Sequence, residues 1–106
     1  MSTSTPDIKK EFYNVTVSSG TGSQLLPRGM ADKLIQVIVI APVSSTSFRV
    51  YIQETRDTLE VFRRDDDLVG TYNEILAPSV PLYGDHTLYI TNASADGVFK
   101  VRIVYE

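Results

Sequence analysis

Apolar and polar residues alternate along most of this chain. In "YNVTV", Tyr13, Val15 and Val17 fall on one side and Asn14 and Thr16 on the other. "FRVYIQ" repeats the pattern, with Phe48, Val50 and Ile52 set against Arg49, Tyr51 and Gln53. The last segment opposes Phe99, Val101, Ile103 and Tyr105 to Lys100 and Arg102. A two-residue period predicts strands with one face on a core and the other in water. Turn-forming stretches separate the runs: "SSGTGS" at 18–23, "PRG" at 27–29, "PVSST" at 42–46 and "NASADG" at 92–97. Asp96-Gly97 suits the positive φ of a hairpin turn, which predicts that the last two strands pair with each other. The final strand is expected inside a sheet.

Three segments depart from simple alternation. "TLEVFRRDDD" reads either as a strand with Leu59 and Val61 inward or as a short helix presenting Leu59 and Phe62. "GTYNEILAPSVPLYG" starts with β-type residues and then carries Pro78 and Pro81, which argue against a central strand. It predicts a short strand or helical turn followed by an ordered crossing loop. "KLIQVIVIAPV" is apolar on both faces, with Ile35, Val37 and Val39 on one and Leu34, Ile38 and Ile40 on the other. One wet face is the rule in an antiparallel sandwich. A loop or the amino-terminal segment covers the second face, or another subunit does.

Seven or eight short strands in 106 residues predict one all-β domain, an antiparallel β-sandwich over residues 11–106. Residues 1–10, rich in Ser and Thr, are expected to form a flexible amino-terminal arm. "DHTLYIT" resembles the tyrosine corner of immunoglobulin-like domains, with Asp85 four residues before Tyr89; a jelly roll suits the strand count equally.

Charge and composition remove several functions from view. The net charge is −3, and Arg63 and Arg64 run directly into Asp65, Asp66 and Asp67, unlike the basic patch of a nucleic-acid binder. No apolar run approaches the roughly 20 residues of a membrane helix. The amino terminus has no apolar core like that of a signal peptide, so synthesis in the cytoplasm is expected. The absence of Cys excludes disulfides, thiolate metal sites and cysteine nucleophiles.

Candidate chemistry is sparse. His86 is the only histidine and follows Asp85, but no Gly-x-Ser-x-Gly nucleophile elbow accompanies it. Asp65, Asp66 and Asp67 lack the alternate spacing and distal Glu of a calcium loop, and read as a solvated, ion-paired turn. Asn14 and Asn92 sit in glycosylation sequons that suit strand and turn roles directly. Tyr51, Tyr72, Tyr83 and Tyr89 offer a platform for a sugar, although the chain contains no Trp. No catalytic residue, metal or cofactor is expected.

Taken together, the polar "MSTSTPDIKKEF" arm, the "SSGTGS" turn, the doubly apolar "LIQVIVI" and the closing "VFKVRIVYE" resemble small all-β structural proteins of tailed-bacteriophage virions. Head decoration (cement) proteins and tail or neck adaptors are of this kind. The resemblance implies a non-enzymatic assembly protein, present in multiple copies or self-associating, that binds other capsid or tail subunits. Its place would be the virion, and the host cytoplasm during assembly. The contact residues expected are Leu34, Ile38 and Ile40 on the apolar strand, with Ile8 and Phe12 anchoring the arm. A carbohydrate-binding sandwich is the alternative.

Overall fold

The computed structural model of the chain describes residues 8–26, 29–56 and 58–106. Eight strands follow one another: β1 (Lys9–Val17), β2 (Gly22–Leu25), β3 (Gly29–Ile40), β4 (Ser47–Glu54), β5 (Glu60–Val69), β6 (Thr71–Gly84), β7 (His86–Thr91) and β8 (Gly97–Tyr105). No helix occurs among the described residues. The strands form two four-stranded antiparallel sheets, ordered β1-β8-β3-β6 and β2-β7-β4-β5. They pack face to face in a sandwich-like arrangement. The all-β expectation is met at that level.

The pairings reveal how the chain is wound. β4 pairs with β5, β3 with β6, β2 with β7 and β1 with β8. The two halves of the chain thus run together as one long antiparallel ribbon that turns at the β4–β5 connection. Successive ribbon pairs alternate between the sheets, and further pairings of β3 with β8 and β4 with β7 join the ribbon to itself. β8 lies between β1 and β3, inside its sheet as expected.

The expected closing hairpin does not form. β7 and β8 belong to different sheets, and residues 92–96 carry the chain across the sandwich. Their hydrogen bonds explain why. The Ala93 amide donates to the Gly20 carbonyl at 3.1 Å, and the Ser94 amide to the Ser47 carbonyl at 2.9 Å. The Asp96 carboxylate accepts the Ser19 and Gly20 amides, both at 3.0 Å. Ser19 and Gly20 themselves have φ of 54° and 77°, the pair of positive values that a type I′ turn requires. That turn joins β1 to β2. Between β5 and β6 a single residue, Gly70 at φ 71°, makes the crossing, and a Cβ there would lie 2.7 Å from the Ser44 carbonyl oxygen. Four connections are thereby tied together at one end of the molecule.

Strand phase is set by irregularities that periodicity does not reveal. β3 advances from Leu34 to Gln36 while β8 moves only from Tyr105 to Val104, so Ile35 is an extra, bulged residue. Opposite it, β6 passes from Val80 to Ile75, a stretch that contains the cis Ala77–Pro78 bond. The bulge puts Leu34 on the same side as Val37 and Val39. Leu34 is therefore in the core, 0% exposed, and its expected place beside Ile38 and Ile40 is corrected.

The Pro-containing segment is also corrected, since it forms the long strand β6. The sheet tolerates it because β6 is an edge, where a missing amide donor costs no ladder bond. Of the segment at 58–67, the residues from Glu60 on lie in strand β5, with Phe62 inward, and Leu59 just before it is exposed, against the strand phase anticipated. β1 begins at Lys9, within the segment expected as an arm; residues 1–7 lie outside those described.

Between the sheets lies one apolar layer. Phe48 from the second sheet and Phe99 from the first meet edge to face, with ring centres 5.3 Å apart and planes at 83°. Val50, Ile52, Leu88 and Ile90 surround them from one side, and Val15, Val39, Val101 and Ile103 from the other. Replacing Phe48 by Ala removes a wholly buried ring at the centre of this layer. The expected loss is about 3–5 kcal/mol of unfolding free energy, measured by denaturant titration. Val69→Ala, at an exposed site, should cost well under about 1 kcal/mol.

Candidate interaction surface

Each sheet has an outer face, and the two are built differently. On the first sheet, strand register aligns side chains in rows across all four strands. One row runs Phe12, Arg102, Ile38, Asn73; the next runs Lys10, Val104, Gln36, Ile75. A third runs Asn14, Lys100, Ile40, Thr71, and Val98 pairs with Thr16 beyond it. Phe12 is 66%, Ile75 68% and Val98 48% exposed. Ile38, Ile40 and Val104 are half-buried between them. The Arg102 guanidinium lies 5.3 Å from the centre of the Phe12 ring, and the Gln36 amide donates to the Asn73 side-chain oxygen at 2.7 Å.

Lys10, Phe12, Gln36, Ile38, Arg102 and Val104 line a shallow depression of about 160 Å³ on this face. Small-molecule sites usually measure about 300–1,000 Å³. The face is therefore suited to a broad contact and poorly suited to enclosing a ligand. Ile38 and Ile40 lie on it together, as the sequence suggested, and Phe12, expected as an anchor of the arm, joins them from β1. Ile8, which precedes β1, is exposed, and Leu34 is not on the surface at all.

Lys10, Lys100, Arg102, Val98 and Ile75 were missed as members of this surface. Val98 and the cations of β8 sit at legible outward positions of an alternating strand. Ile75 was hidden because its segment read as a short strand or helical turn leading into a crossing loop, with no partner strand to place it.

The outer face of the second sheet is satisfied from within. Tyr51 and Tyr89 are cross-strand neighbours whose rings stack 4.8 Å apart at 15°. The Arg63 guanidinium covers the Tyr51 ring at 4.9 Å and is held by Glu60 and, at 2.8 Å, by Asp65. Arg49 pairs with Asp67 at 3.0 Å. Asp65 and Asp67 thus answer arginines across a bulge in edge strand β5, where β4 advances from Phe48 to Val50 as β5 passes from Leu68 to Arg64. Charged side chains on such an edge also discourage pairing with another chain.

The other sequence candidates separate. Tyr51 and Tyr89 come together, but Tyr72 is buried, and the Tyr83 side chain lies outside those described. His86 is 2% exposed, and its Nδ1 sits 3.2 Å from the Gly84 carbonyl oxygen. Among the described residues, no three His, Asp or Glu side chains converge as ligands for a metal.

Where the sheets meet at their β5 and β6 edges, Arg64 grips Glu74 with two hydrogen bonds, one of them 2.7 Å from Nε to Oε1. The Tyr72 hydroxyl donates to the same Oε1 at 3.0 Å. The Arg64 bond holds the Glu74 carboxyl below its ordinary range, and burial together with Glu74 pushes the Tyr72 phenol up. At the opposite edge, burial, and then Glu11, push Tyr13 up to about 12, so it stays uncharged at neutral pH. Asp96 is held low by the amides of Gly20 and Ser19.

Compared with known proteins, the chain matches no protein-family model and no curated protein.

Glu74 and Asp96 both have folded-state values depressed below the ordinary carboxylate range. Their stabilisation is complete above that range and is lost as pH falls through the depressed values. Thermal unfolding midpoints should decline between about pH 5 and pH 2, and Glu74→Gln and Asp96→Asn should each flatten the decline. At pH 7, Glu74→Gln should cost roughly 1 kcal/mol, because an ion pair about a third exposed is partly screened. Equal slopes in wild type and both variants would refute these assignments.

Proposed function

We propose that this chain is a non-enzymatic assembly protein that binds other protein subunits through the outer face of its first sheet. The observation that carries the reading is the apolar surface contributed by all four strands: Phe12, Val98, Val104, Ile38, Ile40 and Ile75. An antiparallel sheet ordinarily turns a polar face to water. Exposed apolar side chains gathered on one outer face usually mark an interaction site. The assembly is a virion of the tailed-phage type, in which the chain serves in many copies as a decoration, cement or tail adaptor component.

The strand order supports a jelly roll. Eight strands wound as a folded ribbon, with β1 and β2 in different sheets, agree with the double Greek key of that fold. An immunoglobulin-type sandwich instead places its first two strands side by side in one sheet. Jelly rolls occur in viral capsid proteins and in lectins, so the fold is compatible with both readings and does not choose between them. The two outer faces favour assembly. The apolar face is open, whereas Tyr51 spends one ring face on Tyr89 and the other on Arg63.

The test is co-expression with the proteins encoded beside this chain, followed by gel filtration and light scattering. The wild type should co-elute with a neighbouring subunit or as a multimer. A Phe12→Asp/Ile75→Asp variant should lose that association while keeping its unfolding midpoint. Leu25→Asp/Val69→Asp, exposed elsewhere, should keep it. A wild type that remains a monomer in every combination would sink the proposal, as would association indifferent to Phe12 and Ile75. Saccharide binding abolished by Tyr51→Ala or Tyr89→Ala would place the chain among carbohydrate-binding modules instead.

A further inference from the structure

The apolar face of the first sheet carries a charge pattern of its own. Lys10, Arg102 and Lys100 occupy three consecutive rows of side chains. No Asp or Glu occupies any of those rows, all of whose members are described. These three rows thus hold three of the chain's ten cationic residues and none of its thirteen acidic ones, although the chain as a whole is at −3; in the next row Glu106 stands opposite Lys33. On the second sheet the opposite arrangement holds, with Arg49 and Arg63 each answered by carboxylates.

Resting on the assembly reading above, we infer that the partner surface is acidic as well as apolar and belongs to a different protein, not to a second copy of this chain. Two copies joined through these rows by a two-fold axis would bring their cations towards one another with no acid of the rows between them. Like charges set together across an interface oppose association. A partner with carboxylates spaced between apolar side chains meets the cations and covers Phe12, Ile75 and Val98 at once. Along β8, Lys100 and Arg102 stand about 7 Å apart, the two-residue repeat of a strand. An acidic, alternating strand or a helix face of similar pitch matches that interval. Nucleic acid is a poorer match: its phosphates would answer the cations but leave the exposed isoleucine and valine uncovered.

The test uses the full chain and three probes: a peptide of about a dozen residues alternating Glu with Leu or Phe, its Lys counterpart, and single-stranded oligothymidylate. Binding is followed by fluorescence anisotropy and by amide shifts in nuclear magnetic resonance. The acidic peptide should shift amides of Phe12, Ile38 and Arg102, and should bind at least about tenfold more weakly in 500 mM than in 50 mM NaCl. The variant Lys10→Glu/Lys100→Glu/Arg102→Glu should abolish this binding and gain affinity for the basic peptide, with its unfolding midpoint unchanged.

Equal binding of both peptides, no binding of the acidic one, shifts elsewhere, or preference for the oligonucleotide would overturn the inference. So would concentration-dependent dimers disrupted by Phe12→Asp/Ile75→Asp. Failure here is separable from failure of the assembly reading. A neighbouring subunit lost with Phe12→Asp/Ile75→Asp but retained after charge reversal leaves assembly standing and removes the acidic partner. Association indifferent to Phe12→Asp/Ile75→Asp removes both.

Discussion

The dry layer between the sheets, with Phe48 edge-on to Phe99 at its centre, is the contact on which the rest of the structure depends. Apolar burial is the main favourable term in folding, and here it is concentrated in a single layer with no disulfide to assist it. Every strand must therefore turn alternate residues toward that layer, and any change of phase along a strand has to be absorbed locally. The bulge at Ile35 does this for β3, returning Val37 and Val39 to the interior after Leu34. Between Leu68 and Arg64, β5 instead carries two extra residues, an even number that keeps the phase, so Leu68 and Phe62 both turn toward the layer.

Burial between the sheets does not by itself decide which strands become neighbours. That role falls to the connections, which are short and strongly hydrogen-bonded. Asp96 holds the β1–β2 turn, Ser94 holds the start of β4, and Gly70 is bonded to both Ala41 and Thr46. At the β5–β6 seam, Arg64 and Glu74 link the margins of the two sheets. The ends and the seam thus constrain how the ribbon winds, while the middle supplies most of the stabilisation.

Much of the core was legible because alternation is a direct image of a half-buried strand. The inward residues of β1, β4 and β8 are those the pattern picked out. What remained hidden has a common cause: periodicity records which way a side chain points and is silent on which strand lies alongside. β7 and β8 both alternate and are separated by Asp96-Gly97, yet hydrogen bonds from Ala93 and Ser94 direct the chain to the other sheet. Pro78 and Pro81 suggested a loop because their exclusion applies to central strands, and position at an edge is a property of topology. Leu34 was assigned to the wrong face because one extra residue, Ile35, reverses parity without leaving a mark in hydropathy. The candidate surface was half legible for the same reason. Phe12, Ile38 and Ile40 follow from alternation, whereas Ile75 joins them only through the register of β3 with β6.

The two outer faces show why alternation alone is a weak guide to function. Both are outward by parity, and both carry aromatic and cationic residues. They differ in how far those groups have already found each other: on the first sheet Arg102 lies over Phe12, with no carboxylate in their row to hold it. On the second sheet Arg63 lies over Tyr51, which stacks on Tyr89, and Asp65 and Asp67 bind arginines, so a partner would have to displace contacts the monomer already makes. On the first sheet the exposed side chains of Ile75 and Val98 gain only from being covered. Covering them removes apolar area from water without first breaking an internal ion pair of the second sheet's kind. For two faces of similar extent, the one with less to give up binds more readily, and that asymmetry directs the proposed contact to the β1-β8-β3-β6 sheet.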